Sequence, residues 1–292
     1  MRLDNTRVVV RERGYLELLD LALCLIRAHL GLLAAYALAG IVPFALLNWL
    51  LLRPYDANLH LEFAEVPEWS YLWRVTYLTL LAMPIATAPL TLCLSKVMFH
   101  DRPTPGEIFR DFMRSLPQLV LVRTLLWGLL ILPAVFLDDE AITSLATMVL
   151  MLLFFLRFFL RPYTGEIILL EQNPLTARNS LQMTTGKRAQ NLHGPHQADL
   201  FSRWAMSLLF SVPWLIAMWL STWTLQGLLF SGSTSLAPAA YSVAYPVCLW
   251  LVIAFFTVVR FLSYLDLRIR GEGWEVELRL RAAGEQLTRR LA

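Results

Sequence analysis

Charge is what this chain has least of. Only 16% of its 292 residues are Asp, Glu, Lys or Arg, against about a quarter in soluble domains, and 57% are hydrophobic. Such a deficit makes lipid the solvent for most of the chain. Cysteine is scarce too. Cys24, Cys93 and Cys248 lie far apart in apolar stretches without CxxC spacing, which argues for buried reduced thiols and against a disulfide or metal framework. P-loops, GxGxxG fingerprints and nucleophile elbows are missing. So are a row of intramembrane acids, a glycine-rich filter and an ion-binding cage, which disfavours pumps and selective channels. The arginines flank apolar runs instead of forming one stripe, so no nucleic-acid surface is indicated.

What the chain does have is apolar runs of membrane length. The fold expected is all-α, a polytopic membrane protein with six transmembrane helices at about 30–52, 72–99, 117–137, 141–160, 204–230 and 239–265. Amphipathic surface helices are expected at the N-terminus, in the cytoplasmic loops and at the C-terminus. Residues 1–29 form the N-terminal unit, 161–203 the central polar segment, and 266–292 a C-terminal helix. Within the first unit, Arg13, Glu17, Asp20, Cys24 and Arg27 share one stripe at helical spacing. Ala37-Leu38-Ala39 matches a small-x-small cleavage pattern. The acidic residues before it and the apolar run continuing to Leu52 instead predict a retained first span. Pro84 and Pro89 predict a kinked or broken second span, because each lacks a donor and crowds the preceding turn. Thr104-Pro105 predicts a helix start, and the Ser and Thr of spans five and six read as helix packing, as does Gly40 with its small neighbours.

Cationic residues set the topology. Of 25 Lys and Arg, only Arg53 and Arg74 fall at the loop ends assigned outside. Six spans with both termini cytoplasmic satisfy the positive-inside rule, and five or seven would put a basic block on the wrong side. The expected location is the cell inner membrane, multi-pass, with both termini cytoplasmic.

The densest polar signals lie at 157–190. Arg157, Arg161, Arg178, Lys187 and Arg188 could together contact lipid phosphate or a partner. Asn173-Pro174 predicts a helix running to about Thr184, with Gly186 past its end and Lys187-Arg188 on its negative pole. Glu166, Glu171 and Arg123 are candidates for structural ion pairs, with Arg157 or Arg161 as the partners expected for the glutamates. Arg123, just inside span three, is expected to snorkel toward the nearby interface. His193 and His196 stand in an HxxH separated by Gly-Pro, which predicts a solvated loop instead of a metal-binding helix. No cofactor and no metal is expected.

Three stretches, GYLELLDLALCLIRAHL, EIILLEQNPLTARNSLQMTTGK and YLDLRIRGEGWEVELRL, resemble the bacterial glycerophosphoryl diester phosphodiesterase membrane-domain family, a non-catalytic six-span region, and its uncharacterised relatives. The matching positions are Glu17, Asp20, Ala22 and Arg27, then Leu170, Glu171, Ala177, Ser180, Thr185 and Gly186. Asn179 replaces the Arg that commonly precedes the serine, and the NLHGPHQADLF stretch departs from the pattern. The resemblance implies a membrane region without the catalytic barrel. The function expected is thus a non-catalytic scaffold or accessory subunit contacting membrane lipid and a protein partner. The alternative is a transporter of a lipid or small amphiphile, using a crevice beside span two. An enzyme at the membrane–cytoplasm interface is a third reading.

Overall fold

The computed structural model describes residues 14–56, 69–98, 104–125, 128, 149, 161–176, 183–229 and 243–272. Among the described residues every regular element is helical. Four helices are long and apolar enough to cross a membrane, over Tyr15–Arg53, Tyr71–Met98, Thr185–Thr222 and Tyr245–Gly271. The chain is a helical membrane protein. Spans three and four of the expected six fall mostly outside the described residues.

Helix α1, Tyr15–Asp56, breaks at His29 (φ −129°, ψ 28°). Before the break Leu18 and Ala22 point into the core, while Glu17, Asp20, Cys24 and Arg27 face outward. Cys24 is therefore an exposed thiol, contrary to the expectation of burial. Helical periodicity explains it: position 24 lies four residues from Asp20 and three from Arg27, on the polar stripe.

Helices α2, Trp69–Ala86, and α3, Ala88–Met98, meet at Thr87, between the two prolines of span two. The Thr87 N–H still reaches Met83 O at 3.0 Å and its hydroxyl donates to the same carbonyl at 2.8 Å, so the span bends without opening. Gly40 of α1 rests on this joint. A Cβ there would lie 2.0 Å from Ala86 O, so only glycine lets the helices approach so closely.

Helix α4, Pro105–Leu119, starts at the expected cap, Thr104. It then runs through Pro117 into a π-helical segment, Val120–Leu125, so Pro117 does not open a separate span. The wider π turn takes up the strain that the proline introduces.

The central segment differs most from expectation. A short helix α5, Thr164–Glu166, passes into a buried π turn, Ile167–Glu171. Gln172 then turns left-handed at φ 49°. No helix starts at Asn173-Pro174: residues 173–176 are irregular, and α6 runs over Thr185–His193. Asn173 gives its side-chain N–H to Glu171 at 3.0 Å instead of capping, and its carbonyl accepts from the Thr185 hydroxyl at 2.8 Å. Gly186, Lys187 and Arg188 hence open a helix instead of closing one. Thr184 caps it, accepting from Lys187 N at 3.3 Å.

A 3₁₀ turn, Gly194–His196, joins α6 to α7, Gln197–Leu229, and α8 is Tyr245–Glu272. The main core packs Phe261, Tyr264 and Leu267 of α8 against Leu90 and Leu94 of α3, Ile167 and Ile168 of the π turn, and Leu18 of α1. The central segment is thus threaded into the bundle's core.

Candidate functional site

Three charge clusters tie the central segment to the helices around it. Glu171 receives Arg188 through two nitrogens, at 2.7 and 3.0 Å, and the Tyr264 hydroxyl at 2.9 Å. Two parallel N–H···O bonds fix both groups in one plane. Glu166, fully buried, accepts from Arg260 Nε at 2.5 Å. Among the described residues its partner comes from α8 and not from Arg161, which stays exposed; Arg157 lies outside the described residues. In the third cluster all three guanidinium nitrogens of Arg203 are engaged: Nε with Asp199 at 3.0 Å, Nη1 with Ser263 Oγ at 2.8 Å and Nη2 with Asp266 at 2.6 Å. Arg270 also reaches Asp266, at 3.1 Å.

The expected phosphate-contacting cluster does not assemble from its described members. Arg188 is committed to Glu171, Lys187 is exposed in the first turn of α6, and Arg161 lines a small cavity of about 200 Å³ together with Arg123. Arg157 and Arg178 lie outside the described residues. Arg123 is buried and does not snorkel: its Nη2 donates to Pro162 O at 2.5 Å, which turns the guanidinium inward.

His193 is likewise no solvated loop residue. It closes α6 with only 3% of its surface exposed, its ring stacked on Tyr163. Nδ1 meets Ala189 O at 2.6 Å, and Nε2 accepts from Tyr163 N at 3.3 Å. With both nitrogens used, the neutral tautomer carrying its proton on Nδ1 is the one that fits. Burial pushes the Tyr163 phenol up to about 12, opposed by its 2.6 Å bond to Ser263.

Above the Arg203 cluster lies the feature that sequence reasoning missed. A cavity of about 370 Å³ opens between α1, α2, α7 and α8. Leu80, Met83, Leu215 and Ile253 form its apolar body, and Tyr15, Arg203, Arg260 and Ser263 gather at its polar end. Tyr15 OH and Ser207 Oγ, 2.6 Å apart, join α1 to α7 there. Leu208 and Val212 line the cavity while remaining exposed, 42% and 48%, so it opens sideways along the exposed apolar surface of α7. The Ser and Thr that read as helix packing in part face this space: Ser207, Ser211, Thr257 and Ser263 all line it. The available signal was Arg203, Ser207 and Ser211, four residues apart on one face of an otherwise apolar helix. Pro84 and Pro89 do not line the cavity; the wall from span two is the turns before the joint.

Among the described residues no cluster of three metal-ligating side chains occurs. Comparison with known proteins gives no match: no family model, no curated protein and no solved structure matches the chain.

Proposed function

We infer that the protein binds a lipid or small amphiphile in the cavity between α1, α2, α7 and α8, and carries it within or across the bilayer. One observation carries the reading: an apolar cavity with a charged, hydroxyl-lined end and a flank open along the exposed apolar surface of α7. Ligand sites are mostly apolar recesses with a few placed polar groups, and this one has the volume of a small-molecule site, roughly 300–1,000 Å³. The charges at its end are locked to one another, which suits binding better than proton transfer or nucleophilic attack, so the reading is non-catalytic. The scaffold reading draws on residues beyond Glu272, outside the described part, whereas the described residues favour the cavity.

The proposal includes a bacterial inner-membrane location with the Arg203 end facing the cytoplasm, supported by the cationic bias of that side. An orientation reporter fused at Asp139 should read periplasmic. Kinship with the glycerophosphoryl diester phosphodiesterase membrane regions is also proposed, supported by the clustering of its motif residues Glu171 and Thr185 at the central joint.

Native mass spectrometry tests the cavity. Wild-type protein should retain an amphiphile of defined mass, and Ile253→Trp, which fills the cavity, should lose it. Identical adducts on both proteins would defeat the proposal.

A further inference from the structure

We propose that the cavity selects a single-chain amphiphile whose head group is uncharged and rich in hydroxyls, and rejects phosphate monoesters. This rests on the amphiphile reading above and adds the chemistry of the head. The volume, about 370 Å³, sits near the low end for small-molecule sites and matches one alkyl chain better than two.

The hydrogen-bond inventory of the walls decides the head group. Thr257 spends its hydroxyl proton on Ile253 O at 2.7 Å, and Thr76 spends its own on Leu72 O at 2.7 Å. Ser207 donates to Arg203 O at 2.8 Å, so in the Tyr15–Ser207 pair the phenol is the donor. The four hydroxyls have therefore used their protons inside the protein and offer the cavity lone pairs alone. A ligand group that meets these four must donate to them. Hydroxyl groups do so; a phosphate dianion has only acceptors to bring. Donors on the same walls are the Ser211 hydroxyl, 3.5 Å from Leu208 O, and the terminal N–H groups of Arg260.

Electrostatics points the same way. Arg203, Arg260 and Arg270 face Asp199, Glu166 and Asp266, three cations against three carboxylates. Each nitrogen of Arg203 already serves a protein acceptor, and drawing it away would cost Asp266, 3% exposed, its 2.6 Å partner. Arg260 meets Glu166 through Nε, so its terminal N–H groups remain to donate to a hydroxyl oxygen of the head. A polyol, both donor and acceptor, answers the two walls at once.

Trp204 lines the cavity and serves as reporter. Full-length protein in phosphatidylcholine nanodiscs would be titrated at pH 7.4 with three amphiphiles sharing one terminally brominated alkyl chain: a glucoside, a phosphocholine and a phosphate monoester. The glucoside should quench Trp204 saturably, at least tenfold more tightly than the phosphate, with the difference signal lost in Trp204→Phe. Thr257→Val, which removes one acceptor and keeps the shape, should weaken the glucoside about fivefold, the worth of one hydrogen bond, and leave the phosphate unchanged. Phosphate binding as tight as glucoside, or tighter phosphocholine binding, would overturn the head-group assignment while leaving the amphiphile site intact. If none of the three quenches saturably, the site itself falls.

Discussion

The helices at the middle of the bundle and those at its rim are similarly apolar, yet they are buried to opposite extents. In the most apolar stretches of α2–α3 and α8, 72% and 67% of residues are buried; in α1 the figure is 11%, and in the helix leading through α7 it is zero. Apolar content alone thus marks a segment as able to cross a membrane and says nothing of its place within it. What separates the two pairs is where their polar residues point. Thr79, Thr87 and Thr91 of the second span and Thr257, Ser263 and Asp266 of α8 are buried. The Ser221 and Thr224 hydroxyls of α7 face outward and turn back onto their own helix, to Ala217 O and Ser221 O. In lipid, helices hold together through polar contacts and close backbone approach more than through hydrophobicity. The cavity lies where the two kinds of helix meet.

Substitutions can test that division. The largest effect is expected at the centre: Asp266→Ala leaves Arg203 in a site 6% exposed without its strongest partner, at a cost of about 3–5 kcal/mol. Thermal unfolding in nanodiscs would measure it, and an unchanged midpoint would mean that α8 is not the anchor described. Next comes the seam between rim and centre. Gly40→Ala drives a methyl against the Ala86 carbonyl, a backbone atom that cannot rotate away, and should cost about 1–3 kcal/mol in the same assay.

The smallest effect belongs to the rim. Leu209→Ala, on an α7 side chain 62% exposed, should move stability by no more than about 0.5 kcal/mol. A large loss there would place Leu209 in a contact and blur the division.

Much of the fold was readable from local pattern. The apolar runs marked the four helices long and apolar enough to cross a membrane, Pro84 and Pro89 bracketed the joint at Thr87, and Thr104-Pro105 marked the start of α4. The central segment was misread because Asn173-Pro174 has the chemistry of a helix start, whereas its carbonyls and amide are claimed by Thr185 and Glu171, partners a local reading does not see. The cavity was less legible still. Tyr15 and Ser207 are 192 residues apart, and no window of sequence joins them. Only the four-residue spacing of Arg203, Ser207 and Ser211 hinted that α7 presents a polar face to something.

The three charge clusters also fix an order in time. Glu166 waits 94 residues for Arg260, Glu171 waits 93 for Tyr264, and Arg203 waits 63 for Asp266. Each partner lies on α8, the last of the described helices to leave the ribosome. A nascent chain that has not yet made α8 lacks, in each cluster, the partner which that helix supplies. Docking of α8 supplies all three partners together, and it completes the polar end of the cavity in the same step.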